Sequence, residues 1–549
     1  MKHLVFYASA FASLATAALA APPLDGARIL RDVKVLASDE YEGRAPASPA
    51  EIKTVSYLIA QMKAAGLAPA GEPLRTGRAW TQDVPLARFA PKGPVSVMAM
   101  AGAQHLNWTQ GEEIAVRASQ TGQTQLSVKD VPVVFLGYGV TAPERGWDDF
   151  KGVDLKGKIG LVLVNDPDFE GGEGDFGGKA MTYYGRWTYK FEEAARQGAV
   201  GFLVIHETAP ASYGWATVKN SNTGEVFDVI RDRPLEAHAP LEGWIQRDAA
   251  AALATAAGQD FEALKAAART KAFRPVPLTG VTLSVEMAVD AQKVISRNVM
   301  GTVRGSGRPD EQVIYTAHWD HLGVGLPDAK GDRIYNGAVD NGTGVAVLLE
   351  IARAFAAGPK PQRSVSFLVV TAEEKGLLGS EYYAAKPIYP LATTVGILNM
   401  DALSPTGKAR DFSTSGNAPL TLQDDLIAVG KAHGRTYSPD PRPEAGSFFR
   451  SDHFPLAKRG VPAISFDSGE DLVAGGKAAG AAFSTTYTTE RYHQPSDQVT
   501  ADWNAEGLVA DGAMMFDLGA QLANSRVWPE WKPGAEFKAE RDKTAAQRK

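Results

Sequence analysis

The sequence predicts an α/β protein: a mixed, mostly parallel sheet sandwiched by helices, interrupted by a small β-rich insertion. From Val281 onward, short apolar runs alternate with apolar helical stretches, as in a sheet covered on both faces. Between about 126 and 270 the texture changes to short strands punctuated by turn residues, which suggests a small unit of its own. The 549 residues exceed one ordinary domain. At 44% hydrophobic and 22% charged residues, the composition is that of a globular chain. A formal net charge of -6 with no long basic run argues against nucleic acid as a partner. Cysteine is absent, which excludes disulfides, thiolate metal sites, cysteine nucleophiles and a lipid-modified N-terminal cysteine.

The elements follow in order. Lys2 and His3 form a short polar start, Leu4 to Ala20 is almost wholly apolar, and Ala18-Leu19-Ala20 offers a small-x-small cleavage pattern. Residues 1–20 therefore read as a signal peptide, and the protein as exported, to a periplasm or outside the cell. No later stretch has the length and apolarity of a membrane span, so no stable membrane anchor is expected. Residues 21–125 open the main domain, 126–270 form the insertion, and 271–549 complete the main domain. Asp25 to Ser38 reads as a helix. Ser48-Pro49-Ala50-Glu51 reads as a capping box ahead of Ile52, Val55, Leu58, Ile59 and Met62, with Gly66 as the stop. Val131–Leu136, Lys158–Val164 and Val200–His206 are apolar strands, with a helix over Thr188–Gln197. The glycine-rich stretch 171–178 is a mobile loop by composition, and no Lys-Ser/Thr follows at phosphate-loop spacing. Arg274-Pro275-Val276-Pro277 marks an exit linker. Val313–Ala317, Ser364–Thr371, Val395–Met400 and Ala463–Phe466 read as buried strands, and Thr343–Ala357 and Ala505–Ala523 as apolar helices. The tail from Trp528 is charge-rich and expected to be peripheral.

The ionisable residues fall at strand ends. One strand ends in His318-Trp319-Asp320, the next in Ala372-Glu373-Glu374, and a third in Asp401. Ligands of open α/β sheets bind outside the carboxyl ends of strands, so these side chains arrive at one edge. Asp340, just ahead of the long apolar helix, reaches the same side, and Tyr492-His493 follows the last strand. Two imidazoles with several carboxylates and no sulfur suit zinc, cobalt or manganese. The candidate ligands His318, Asp340, Glu374, Asp401 and His493 are more than one ion needs, which favours two ions sharing a bridging carboxylate. Glu373 is then left free beside Glu374 as a general base, and Asp320 is placed to accept the second ring N–H of His318.

His318-x-Asp320, Gly337-Ala338-x-Asp340-Asn341-x-x-Gly344, Glu373-Glu374, Asp401 and Tyr492-His493 resemble the motif set of peptidase family M28, the co-catalytic zinc aminopeptidases. The order fits throughout 281–524, Leu36 to Arg44 resembles the N-terminal segment of bacterial members, and 126–270 resembles their protease-associated (PA) domain. The resemblance implies a zinc-exopeptidase fold and two zinc ions, one completed by His318 and Asp401, the other by Glu374 and His493, with Asp340 bridging. It implies three catalytic residues besides the ligands: Glu373 as general base, Asp320 orienting His318, and Tyr492 holding the oxyanion. The implied substrates are peptides with a free N-terminus. A carboxypeptidase or glutaminyl-cyclase-like member of the fold, and a non-catalytic PA-domain binding protein, are the alternatives. Ser451-Asp452-His453 matches a family motif, and His453 reads equally as pocket lining or as a hydrogen-bonded core histidine. His321, also close to the site, reads as a support behind the ligands or as structural, Phe448 and Phe449 as pocket wall or core, and 474–482 as a mobile rim or plain surface loop. With no ligand inside it, the insertion is expected to control access rather than chemistry.

Overall fold

The computed structural model describes residues 23–548 except 103, 172–173 and 417–418; the signal peptide read at 1–20 lies outside these, as does part of the 171–178 loop. Strands Arg363–Val370, Arg308–His318, Thr394–Met400 and Ala463–Ser468 form the parallel centre of the main sheet, in the spatial order 363–370, 308–318, 394–400, 463–468. Antiparallel strands flank it, residues 299–303 on one side and Asp411–Thr414 on the other. The central strands are buried along almost their whole length because helices Gly344–Ala357, His453–Ala457 and Glu506–Asn524 pack on the sheet.

A second sheet holds Ser96–Ala101, Gln104–Trp108, Ile114–Val116, Gln125–Phe135, Ile159–Leu163, Gly201–His206 and Leu241–Gln246. It has apolar clusters of its own, around Phe135, Leu203 and Leu283 on one side and Phe202 and Trp244 on the other. Three of these strands precede residue 126, so the sheet reaches further toward the N-terminus than the sequence boundary placed it. The expected linker at 274–277 is instead the start of a 28-residue strand, Val276–Val303, whose first half pairs in the second sheet and whose second half pairs in the first. One continuous ladder thus ties the two units together.

Other expectations shift in detail. Ser48 makes no capping bond to the helix Pro49–Ala64, and its hydroxyl donates to the Ala45 carbonyl at 2.7 Å. Glu51 turns back instead, accepting from the Ala47 N–H and the Ser296 hydroxyl. The C-terminal tail is not peripheral: Trp531 is buried and donates to the Gly460 carbonyl, and Arg541 is buried against the carbonyls of Leu391 and Thr394. Among the described residues, no helix is long and apolar enough to cross a membrane.

Candidate metal centre

Three parallel strands deliver their last residues to one edge. His318 ends its strand, while Glu373 and Glu374 follow Val370 through Ala372, whose φ is +54°. Asp401 is followed by Ala402 at φ +52°. Non-glycine residues in the left-handed region cost on the order of 1–2 kcal/mol each and cluster where backbone must turn a functional side chain inward. Asp340 sits on the loop entering helix Gly344–Ala357, after a turn held from outside: Asp497 accepts the N–H of Val339 at 3.0 Å and of Asp340 at 3.1 Å. Asn341 donates to the Met400 carbonyl and accepts from the Ala402 N–H, which fixes the Asp340 loop to the Asp401 turn.

The donor atoms converge around Asp340. Nε2 of His318 lies 3.2 Å from Asp340 Oδ1 and 3.1 Å from Asp401 Oδ1. The other oxygen, Asp340 Oδ2, lies 3.3 Å from Nε2 of His493, which is 3.0 Å from Glu374 Oε2. One carboxylate therefore spans two separate histidine–carboxylate pairs. The outer ring nitrogens are fixed by other groups: Nδ1 of His318 meets the Asp320 carbonyl at 3.1 Å, and Nδ1 of His493 meets the Ser221 hydroxyl at 2.8 Å. When each Nδ1 carries the proton, the Nε2 lone pair faces the carboxylates, an arrangement that calls for a cation between them. Asp320, Asp340, Glu373, Glu374 and Asp452 are largely buried, and none pairs with a lysine or arginine among the described residues. Uncompensated buried carboxylates are costly, and divalent ions bound by nitrogen and oxygen donors relieve that cost. The residues fit the ions: His318, Asp340 and Asp401 form one cluster of donor atoms within 4.8 Å of one another, and His321, Asp340 and Glu374 form another.

Electrostatics divides the acids. Burial opposes ionisation of Asp340, but His318 and His493, when each carries a proton on Nε2, donate hydrogen bonds to it and hold it well below the usual carboxylate range. Glu374, also opposed by burial, is brought to about 2 by the neighbouring His493. Glu373 goes the other way: burial, tempered by His318, combines with the charges of Asp401, Asp452 and Glu374 to hold it well above. Carboxyls pushed apart in this way are the mark of divided acid and base roles.

The structure brings His318, Asp340, Glu373, Glu374, Asp401, Tyr492 and His493 together, and revises several neighbours. The Asp320 carboxylate does not orient His318: it lies 3.9 Å from Nδ1 and accepts the Glu373 N–H instead, so the orienting acceptor is its carbonyl. His321 stands beside the centre, as expected, with Nδ1 2.5 Å from Glu374 Oε1. Ser451 donates to Asp401 Oδ2 at 2.6 Å. His453 is fully buried with neither ring nitrogen hydrogen-bonded, so it is no hydrogen-bonded core histidine; burial pushes it down to about 3. Phe448 packs among Phe449, Phe454 and Phe537, and Phe449 reaches the cleft edge. The expected rim at 474–482 is mostly helix, Gly476–Thr486, with Gly480, Phe483 and Ser484 lining the cavity over Asp340 and Asp401.

Several contributors were given no role by the sequence reading. Asp497 lies four residues beyond His493, and the short polar run Gln494 to Asp497 was the available signal. Arg44 is buried and donates to the carbonyls of Leu36, Trp319, Asn336 and Gly337, bracing the loops on either side of the site. Gly43 makes that approach possible: at φ +65°, an added Cβ would meet the carbonyl oxygens of Tyr335 at 2.5 Å and Gly323 at 2.6 Å. Ser221 and Asn220, from helix Trp215–Asn222 of the insertion, bond the His493 ring and carbonyl, so the insertion does more than govern access.

Comparison with known proteins gives a family match over part of the chain. Residues 298–516 match the model of Peptidase family M28. A "Probable zinc metalloprotease" of Pyrenophora teres f. teres is 35% identical over 116 residues, 21% of this chain and 24% of that protein. "Aminopeptidase NAALADL1" of Mus musculus is 37% identical over 112 residues, 19% of this chain and 13% of that protein. The chain thus spans about a quarter or less of the length of these relatives. The solved aminopeptidase from Aneurinibacillus sp. strain AM-1 shares the fold at a TM-score of 0.54 and 20% identity, covering 91% of this chain and 95% of that one.

Proposed function

Because residues 298–516 match the model of Peptidase family M28, we propose that this chain is an exported dizinc aminopeptidase that removes N-terminal residues from peptides. The observation that carries the reading is the Asp340 carboxylate, whose two oxygens face His318 and His493 separately. His318 and Asp401 would hold one zinc, Glu374 and His493 the other, with Asp340 shared. His493 is preferred to His321 as the ligand because its Nδ1 is held by the Ser221 hydroxyl while its Nε2 faces both Asp340 and Glu374, whereas His321 turns its Nδ1 to Glu374 Oε1. His321 would then steady Glu374 from its other oxygen.

Bound zinc supplies Lewis acidity toward the scissile carbonyl and lowers the pKa of water. The chain's own residues do the rest. Glu373, 4.0 Å from the His318 nitrogen, takes the proton of the attacking water and passes it to the leaving amine. Tyr492 stacks on His493 with ring centroids 3.9 Å apart, and its hydroxyl accepts from Arg450 at 3.2 Å, which leaves its proton free for the developing oxyanion. The second-sheet unit is read as a protease-associated domain, and residues 1–20 as the export signal.

The test is a panel of aminoacyl anilides with free or blocked amines, assayed with and without chelator. Hydrolysis confined to free amines, lost on chelation and restored by zinc or cobalt, is the expected result. Full activity in protein shown to be metal-free would overturn the reading.

A further inference from the structure

Two cavities meet at the candidate centre, one with a mostly acidic lining and one with a lining of mixed charge. One, about 250 Å³, is lined by Asp401, Asp440, Asp467 and Glu470. The other, about 510 Å³, lies where the insertion meets the main domain and is lined by Arg186, Tyr213, Arg450 and Lys375. Both include Glu373 and Tyr492, so they are two halves of one cleft across the reacting position. Their volumes are those of small-molecule sites rather than of a groove for a long chain.

Arg186 is the anomaly. It is only 8% exposed, yet its guanidinium makes no hydrogen bond or ion pair among the described residues, and its Nε is buried without a partner. Burial, and then repulsion from Arg450, bring it down to about 10, so it remains charged at neutral pH. Arg450 has no carboxylate in ion-pair range either: it donates to the hydroxyls of Ser212 and Tyr492, each at 3.2 Å, and lies over the Tyr213 ring. A buried guanidinium without a counter-ion is costly, and its planar fork matches a carboxylate with two parallel hydrogen bonds. The fold keeps two guanidiniums without a counter-ion on the wall of one cavity, buried Arg186 from the insertion and half-buried Arg450 from the main domain.

We propose that Arg186 and Arg450 form a carboxylate anchor on the leaving-group side of the cleft, which makes short peptides with a free C-terminal carboxylate the preferred substrates. The inference rests on the aminopeptidase reading and adds the substrate class. The mostly acidic cavity receives the N-terminal ammonium end and the two unpaired arginines receive the carboxylate, so a zwitterionic di- or tripeptide spans both halves of the cleft. Arg186 comes from the insertion, just ahead of helix Trp187–Arg196, so the insertion would select substrate by charge as well as by size.

The experiment uses the zinc-loaded full chain and three matched substrates: a dipeptide, its C-terminal amide, and its N-acetyl derivative. Wild type should favour the free acid over the amide by about 10–100-fold in kcat/KM, mostly through KM, as one or two charge-assisted hydrogen bonds provide. In Arg186→Gln the ratio of acid to amide should fall toward one. Arg186→Met keeps the side-chain length and reads the same ratio should the glutamine variant fail to fold. A wild-type ratio near one overturns the anchor, as does a high ratio that both foldable variants preserve. Faster cleavage of the N-acetyl dipeptide than of the free one overturns the aminopeptidase reading instead, while a surviving acid preference would leave the anchor standing.

Discussion

Ser221→Ala should loosen one zinc site selectively, although the residue lies outside the matched family segment. Its hydroxyl is 2.8 Å from His493 Nδ1, and the same ring presents Nε2 to Glu374 at 3.0 Å and Asp340 at 3.3 Å. His493 itself sits at φ +56°, with its carbonyl held by Asn220 at 3.0 Å, so the ring is fixed from the insertion at two points. Removing the hydroxyl leaves a buried N–H unpaired, at a cost of about 1–3 kcal/mol. Loss of such an outer partner typically costs about 10–100-fold in metal affinity, or about 1.4–2.8 kcal/mol, which agrees with the first figure. The assay is zinc content after dialysis against a graded series of zinc buffers, with kcat measured on the same samples. Wild type should retain two equivalents over a range where Ser221→Ala retains one. Thr223→Ala, which removes a hydroxyl bonded only to the Lys219 carbonyl near the same helix end, is the control and should follow wild type. Identical zinc retention by Ser221→Ala and wild type, with unchanged kcat, would refute the claim that the insertion positions His493. By the same contact, excising the insertion should weaken this zinc site even if the main domain folds.

Glu373→Gln should keep the fold and both metals while turnover falls by about 10²–10⁴-fold, whereas Asp340→Ala should lose metal; zinc analysis of the two proteins checks the assignment. Arg44→Ala strips the carbonyls of Leu36, Trp319 and Asn336 of their donor, at about 1–3 kcal/mol per group left unpaired, and should lower the melting temperature sharply; an unchanged Tm would contradict its bracing role. His453 is buried neutral and pushed down to about 3, so its contribution is present above its unfolded value of 6.5 and is lost as pH falls from there toward 3. The stability difference between wild type and His453→Leu should therefore shift against wild type by up to about 1.4 kcal/mol per pH unit across that window, read from paired melts. His238 runs the opposite way. Burial opposes its charge, but Glu242 and Asp228 raise it to about 9, so the stabilisation is full below 6.5 and fades as pH rises through 9; His238→Gln should flatten that alkaline limb.

The alternation of apolar runs and helices was enough to identify a mostly parallel sheet, and such a sheet points the carboxyl ends of its strands to one edge. His318, Glu373, Glu374 and Asp401 are legible for that reason: each is one to three residues past an apolar run, and period and topology act locally. Asp340 and His493 were legible only as members of the set, because each follows a loop whose path the sequence does not state. Tertiary structure alone decided the rest. The Ser221–His493 bond joins residues 272 positions apart, and the Arg44–Gly337 bond joins residues 293 apart. No local period encodes such pairs; they exist because two units share the strand Val276–Val303 and close over one edge. The same packing seals the C-terminal tail onto the core despite its charge, since Trp531 and Arg541 find buried carbonyl partners there. It also leaves Arg186 charged, buried and without a partner. Composition and periodicity report which residues leave water. Which donor meets which acceptor, and which charge is left waiting, is settled only when distant segments pack.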